Sequence, residues 1–188
     1  MNREIHSVVM GASAGGIEAV SAILSDLRLE LRAPIVIVVH MPSAKDSQLA
    51  TLLQSKCRRP MIEVEDKQSL DPGHVYLAPP DYHVLVEDEV SLALSSDEQV
   101  NYSRPSIDVL FETAADVFAE HALGIILTGA NKDGAKGLSE IIRAGGHGLV
   151  QEPSEAHCRA MPEAAIAACP TAKVMNLMEI SQYLNDRI

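Results

Sequence analysis

Residues 35–39 read Ile-Val-Ile-Val-Val, an unbroken run of β-branched side chains that follows Pro34. A strand with no polar side chain on either face is buried on both faces, as in parallel sheets covered by helices. Residues 5–10 form a second, mostly apolar run. Between the two runs, apolar residues recur at spacings of three and four, as on one face of a helix: Ile17, Val20, Leu24 and Leu27. The chain therefore opens β-α-β, and a right-handed crossover sets the carboxyl ends of both strands at one sheet edge.

The alternation of strands and helices continues to the end of the chain. Helices are predicted from Ser106 to near Gly124, from residue 134 to Gly145, and over 162–168 and 178–185. Strands are predicted at 125–127, 147–151 and 174–177. Three short runs separated by turn residues predict a small antiparallel meander or hairpin: 75–78, 82–87 and 90–94. The expected fold is α/β, a doubly wound, mostly parallel sheet with helices on both faces, with this hairpin inserted in a three-layer α/β/α architecture.

The composition excludes several classes of function. With 188 residues the chain suits a single domain, and its net charge of −11 and six aromatic residues argue against nucleic acid as a partner. No apolar run is long enough to cross a membrane. Three cysteines without a C-x-x-C pair fit a reducing compartment, which predicts a cytoplasmic protein. One cluster of basic residues is a candidate patch for an acidic substrate but is interpreted as a solvated surface: Lys56, Arg58 and Arg59.

Residues 11–16, Gly-Ala-Ser-Ala-Gly-Gly, join the first strand to the first helix. A serine on such a tight turn is exposed when its neighbours are small, and the helix that follows directs free N–H groups toward an anion formed nearby. Ser13 is therefore a candidate nucleophile. Two alternatives remain: a phosphate-binding or dinucleotide-binding loop, although serine replaces the middle glycine of G-x-G-x-x-G, and a turn with a purely structural role.

Two further strand ends carry side chains that complete this chemistry. His40 follows the second strand and is the best candidate for a general base. Asp133 lies in the loop after a third strand, where its carboxylate can accept the other N–H of the imidazole. Each also has a structural interpretation: His40 as a histidine bonded to the backbone, and Asp133 as the N-cap of its own helix. His74 and His83 have no ligand neighbours and are interpreted as meander residues, so no metal is expected.

Seven motifs, taken in order, resemble the catalytic domain of the chemotaxis protein-glutamate methylesterase family, CheB. They span nearly the whole chain: residues 11–16, 39–42 (Val-His-Met-Pro), 71–79, 104–111 (Arg-Pro-Ser-Ile-Asp-Val-Leu-Phe), 127–129, 133–135 and 161–162. The resemblance implies a serine esterase that hydrolyses glutamate γ-methyl esters on chemoreceptors or related signalling proteins, with glutamine deamidation as a possible second activity. It implies no cofactor.

The resemblance also assigns roles to residues. Ser13 is the expected nucleophile, His40 the general base and Asp133 the residue that orients it. The backbone N–H groups of Ala14 and Ala130 are expected to hold the oxyanion. Family members usually carry Met-Gly where this chain has Ala130-Asn131, which alters the rim of the oxyanion pocket; asparagine tolerates even a positive φ there.

The usual member of the family also carries a receiver domain before the catalytic one. Here the first strand starts near Ile5, so residues 1–188 are expected to form one methylesterase domain without a receiver domain, either a stand-alone protein or an excised piece. Its expected partners are a methylated receptor and a separate receiver-domain or kinase regulator. A catalytically silent adaptor that binds a receptor or kinase is the alternative function, and a nucleotide-binding domain is a third.

Overall fold

The structure is a computed structural model that describes residues 4–30, 32–40 and 49–188. Its strands are β1 (Ser7–Ala12), β2 (Ile35–Val39), β3 (Met61–Glu63), β4 (Gln68–Ser69), β5 (Val75–Leu77), β6 (His83–Asp88), β7 (Ser91–Ser95), β8 (Ala122–Ile126), β9 (His147–Gln151) and β10 (Lys173–Met175). Its helices are α1 (Gly16–Asp26), α2 (Leu49–Gln54), α3 (Ile107–Phe118), α4 (Ala135–Arg143), α5 (Ala160–Ala168) and α6 (Leu177–Arg187), with a 3₁₀ turn at Ala119–His121.

A parallel sheet forms the centre of the molecule. Within the described residues it has seven strands in the order β10-β9-β8-β1-β2-β5-β3, and every pairing is parallel. Every residue of β1, β2 and β8 is buried, because helices cover the sheet on both faces. The predicted β-α-β opening is confirmed, with Ala12 opposite Val39 at the carboxyl ends of the first two strands.

Two hydrophobic clusters lie on opposite faces of this sheet. Side chains of β1 alternate between them, since Val8 and Met10 join one cluster and Val9 joins the other. The first cluster takes its helical residues from α1, α2 and α6, and the second takes them from α3, α4 and α5. The predicted three-layer α/β/α architecture is therefore confirmed.

The predicted hairpin exists but has different members. The strands β6 and β7 pair antiparallel, and β4 adds to β7. β5 was expected in this hairpin, yet it pairs parallel with β2 and β3 in the main sheet. All three of its residues are buried, which is typical of a strand covered on both faces and not of a hairpin strand with one solvent-exposed face.

Two other expectations about the chain need correction. α3 ends at Phe118 instead of near Gly124, and β8 starts at Ala122, because the backbone leaves the helix at Ala119 with a φ of +46°. Arg59 is fully buried and not solvated. Its Nε donates to the Gly73 carbonyl at 2.9 Å, and it also donates to the Ala33 carbonyl at 3.3 Å, so it joins the loops that precede β5 and β2.

Among the described helices, none has the length and apolar character needed to cross a bilayer.

Candidate active site

The ends of three adjacent strands bring Ser13, His40 and Asp133 to one edge of the sheet. Ser13 follows β1, His40 follows β2, and Asp133 lies in the loop after β8. These three strands are adjacent in the order β8-β1-β2. The His40 N–H donates to the Ala12 carbonyl at 3.0 Å, and the Ser13 N–H donates to the Thr128 carbonyl at 2.9 Å. Backbone hydrogen bonds thus continue past the strands and fix these strand ends side by side.

Ser13 lies on the tight turn that the glycine-rich motif predicts. The Gly16 N–H donates to the Ser13 carbonyl at 2.7 Å, and α1 begins at once. Gly15 has a φ of +77°, and a Cβ there would lie 2.4 Å from the Cβ of His157, so only glycine fits. Ser13 is half-buried, and within the described residues its hydroxyl makes no hydrogen bond. The hydroxyl is therefore available to a substrate.

Of the two expected oxyanion donors, Ala14 follows Ser13 on this turn, and Ala130 lies in the loop after β8. Within the part of the chain that the structure describes, neither the Ala14 N–H nor the Ala130 N–H donates to an acceptor. Thr128, a buried residue of the 127–129 motif with no role assigned from the sequence, donates from its hydroxyl to the Ala14 carbonyl at 2.8 Å and accepts from the Cys158 N–H at 2.9 Å. Its hydroxyl thus holds the Ala14 peptide in place.

The imidazole of His40 contacts Asp133. Its Nε2 lies 2.9 Å from Oδ2 of the carboxylate, and the two side chains are 11% and 0% exposed. The geometry is bent, so the contact is a close polar approach and not a linear hydrogen bond. The other ring nitrogen, Nδ1, lies 3.3 Å from Nδ2 of Asn131.

Asp133 also accepts hydrogen bonds from the start of α3. Its Oδ2 accepts from the Ile107 N–H at 2.6 Å, and its Oδ1 accepts from the Asp108 N–H at 3.2 Å and the Ser106 hydroxyl at 2.9 Å. The Asn101 side-chain amide donates to the same Oδ1 at 2.8 Å. A carboxylate at a helix N-terminus is stabilised by the free N–H groups there.

The alternative interpretation of Asp133, as the N-cap of the helix that follows it, was therefore wrong, because Asp133 bonds the start of a different helix. The residue that caps α4 is Gly134, without any side-chain hydrogen bond, whereas Asp133 reaches across to α3. His83, interpreted as a meander residue, is buried behind the same helix start. Its Nδ1 accepts from the Ser106 N–H at 3.1 Å, and its Nε2 lies 2.9 Å from the Glu98 carbonyl. It orders the residue that in turn bonds Asp133.

Asp133 and Asp108 are both buried at the start of α3, and the pKa values of their carboxyl groups are shifted in opposite directions. Burial alone raises the pKa of the Asp133 carboxyl, but the contacts from His40, Asn101 and the Ile107 N–H outweigh burial and hold that pKa below its usual value. For Asp108, burial and the neighbouring Asp133 charge raise the carboxyl pKa above its usual value. Asp133 is therefore the ionised partner that an imidazole needs.

The lowered pKa of Asp133 predicts a pH-dependent contribution to stability. The pKa of Asp133 is lower in the folded state than in the unfolded one. Its contribution to stability is therefore fully present above about pH 4 and is lost as the pH falls through the pKa of the folded state. We expect the difference in unfolding free energy between the wild type and Asp133→Asn to shrink from about pH 6 to about pH 3. Urea titrations at each pH measure it, and a difference that stays constant would contradict the assignment.

A small polar cavity adjoins the imidazole. Its volume is about 120 Å³, and it is lined by His40, Asp81, Gln99 and residues 102–105, from the segment 99–105. Within this segment Asn101 and Tyr102 have φ values of +52° and +62°, uncommon for non-glycine residues, and the Tyr102 side chain is 97% exposed at the rim. Asn101 bonds both Asp108 and Asp133 at 2.8 Å, which secures this strained turn beside the site.

The described residues contain no group of His, Cys, Asp and Glu side chains able to hold a metal ion. The segment after His40 that carries the end of the Val-His-Met-Pro motif lies outside the described residues. Asn131 has no positive φ, so the left-handed conformation allowed for at this position does not occur. Sequence reasoning gave no supporting role to several residues that contact the candidate site residues or hold those contacts in place: Asn101, Ser106, His83, Thr128 and Asn131.

Known proteins resemble this chain in sequence and in fold. The family described as CheB methylesterase matches residues 8–184. A protein of Leptospira interrogans named putative protein-glutamate methylesterase/protein-glutamine glutaminase is 44% identical over 182 residues, which cover 97% of this chain and 93% of that protein. Protein-glutamate methylesterase/protein-glutamine glutaminase 3 of Burkholderia lata is 36% identical over 96% of this chain, which spans 50% of that protein.

The structural comparison agrees with these matches. The crystal structure of the Thermotoga maritima CheB methylesterase catalytic domain superposes with a TM-score of 0.92 at 29% sequence identity, covering 99% of this chain and all of that one. The likeness therefore extends over the whole doubly wound sheet and its flanking helices.

Proposed function

The chain belongs to the CheB methylesterase family, and from that premise we propose that it hydrolyses γ-methyl esters of glutamate side chains in signalling proteins. The observation that carries the proposal is the contact of His40 with a buried, ionised Asp133 at the strand end next to Ser13. An imidazole held by a carboxylate, at a strand end adjacent to the one that carries a serine, is the arrangement that acyl transfer uses.

The proposed reaction runs through an acyl-enzyme. The Ser13 Oγ attacks the ester carbonyl carbon while His40 takes the hydroxyl proton, and the carbonyl oxygen becomes an oxyanion. The Ala14 and Ala130 N–H groups donate to that oxyanion; losing one such donor typically costs ~10²-fold to 10³-fold in rate. His40 then gives its proton to the leaving methoxide, which departs as methanol.

A water molecule completes the cycle. His40 takes a proton from this water, which attacks the glutamyl-serine ester, and the proton passes to the Ser13 oxygen as it leaves. The products are a glutamate carboxylate and the free serine. With a glutamine side chain as substrate, ammonia takes the place of methanol in the same steps, which corresponds to the second activity in the names of the Leptospira and Burkholderia relatives.

We also propose the setting of this activity. The substrate is a methylated chemoreceptor or a related signalling protein, met in the cytoplasm, and a separate receiver-domain or kinase protein acts as regulator. Support comes from the family match. The extent of the domain, residues 1–188, stays a prediction.

The test uses membranes that contain receptors labelled on their methyl esters. We expect the purified protein to release volatile labelled methanol and to incorporate a fluorophosphonate at Ser13, because an activated serine reacts with such probes. Receptor binding without methanol release, and without serine labelling, would favour the adaptor function. Saturable binding of a dinucleotide would favour the third alternative.

A further inference from the structure

The side chain of Asn131 lies between the two catalytic strand ends. Its Oδ1 accepts a hydrogen bond from the Asp133 backbone N–H at 3.0 Å, and its Nδ2 lies 3.3 Å from Nδ1 of His40. The backbone N–H can only donate, so the carboxamide oxygen must face it. This contact fixes the direction of the amide, and its NH₂ group therefore faces the imidazole.

The two partners of His40 specify the same tautomer. The Asp133 carboxylate, ionised because its pKa is lowered, only accepts, so the proton of the neutral ring belongs on Nε2. The Asn131 NH₂ group only donates, so the ring nitrogen that it faces, Nδ1, must be the one without a proton. A bare Nδ1 is the nitrogen that can accept a proton from a serine.

We propose that Asn131 is a positioning residue that keeps Nδ1 of His40 unprotonated and directed toward the catalytic strand end until the Ser13 hydroxyl replaces the amide. This inference rests on the proposed esterase function. The separation of 3.3 Å is long for a hydrogen bond, so the amide holds the ring weakly and the serine displaces it at little cost. Asn131 contacts the base and not the substrate, so its role is to orient.

Other charged or titratable groups also face the imidazole. Asp133 contacts Nε2, and Asp81, Tyr102 and Arg104 lie across the cavity that His40 lines. The Arg104 guanidinium has other partners, because its Nη1 donates to the Ser96 and Asp97 carbonyls. Within the described residues, only the Asp133 and Asn131 side chains make polar contacts with the imidazole.

The decisive variant is Asn131→Asp, which has nearly the same shape. One oxygen still accepts from the Asp133 N–H, and the other replaces the NH₂ group, so it attracts a proton to Nδ1. The ring is then held doubly protonated between two carboxylates and is no base at neutral pH. We expect kcat/KM at pH 7 to fall about tenfold or more and to recover above about pH 9, with the acid limb of the pH profile moved up by about one unit or more.

A distant control carries the same change of charge. In Asn185→Asp a half-buried carboxamide with two backbone partners, the Arg28 N–H and the Asp26 carbonyl, becomes a carboxylate far from the site. We expect its pH profile to match the wild type. An Asn131→Asp enzyme with the same profile as the wild type would overturn the proposal, since a merely structural asparagine would not move the acid limb.

Nitrogen-15 NMR of histidine-labelled protein gives a second measurement that needs no variant. We expect His40 of the wild type, in the neutral ring, to carry its proton on Nε2 and none on Nδ1. The opposite tautomer overturns the proposal even if Asn131→Asp fails to fold. A wild type without methanol release or serine labelling would instead refute the esterase function, while the spectrum would still report the tautomer, so the two failures are distinguishable.

Discussion

Replacing Ser13 by alanine is expected to lower the kcat of ester hydrolysis by about 10⁵-fold or more while the protein stays folded. In the proposed mechanism the Ser13 Oγ forms the acyl-enzyme bond, and the variant removes this atom. The hydroxyl makes no hydrogen bond within the described residues, so its loss leaves no partner unsatisfied and should change stability little. Release of labelled methanol from receptor membranes and turnover of a p-nitrophenyl ester measure the effect.

A serine on the helix that follows offers a matched control. Ser25 is exposed near the end of α1, and its hydroxyl only donates to the Ala22 carbonyl of the same helix. Ser25→Ala is expected to keep wild-type turnover on both substrates. Methanol release that survives in Ser13→Ala, with the contaminating activity of the preparation excluded, would remove Ser13 from the mechanism.

Replacing Asp133 by asparagine is expected to lower kcat by about 10⁴-fold, with KM nearly unchanged. The amide keeps the shape of the carboxylate but has only one oxygen, and no negative charge to stabilise the imidazolium that forms during attack. Its NH₂ group must also face a donor, either the Ile107 N–H or the donors that bond Oδ1. We expect a loss of about 3 kcal/mol of stability at pH 7 for this reason.

The loss of activity must be separated from the loss of folded protein. Asp116→Asn makes the same chemical change on the exposed side of α3 and is expected to affect neither quantity. Activity is therefore compared per folded molecule, with circular dichroism and urea titration as measures of folding. A fall in kcat below tenfold for folded Asp133→Asn would leave the residue with a structural role alone, as the acceptor at the start of α3.

The arrangement of strands was predictable where the sequence pattern is local. The run at 35–39 and the apolar spacing before it identify β1, α1 and β2, and parallel strands of this kind share an edge for their carboxyl ends. This reasoning placed Ser13 and His40 together without coordinates. It failed for β5, because a three-residue apolar run has no periodicity with which to distinguish a central strand from a hairpin strand.

The supports of the site were not predictable because they depend on contacts between distant segments. Asn101 and Ser106 bond Asp133 across 32 and 27 residues of sequence, and nothing in their local sequence indicates that partner. Asp133 itself showed the pattern of an N-cap, which is correct in chemistry but was assigned to the wrong helix, since a carboxylate serves any free helix start within reach.

The crowding of donors around Asp133 has a consequence for motion during turnover. Four donors from the 101–108 segment already occupy its two oxygens, so the carboxylate cannot turn to follow the imidazole. Reorientation must then fall to the ring and to the serine rotamer, two light groups that rotate about single bonds. In the proposed mechanism Asp133 therefore stays fixed, and the imidazole turns against it between the serine and the leaving group.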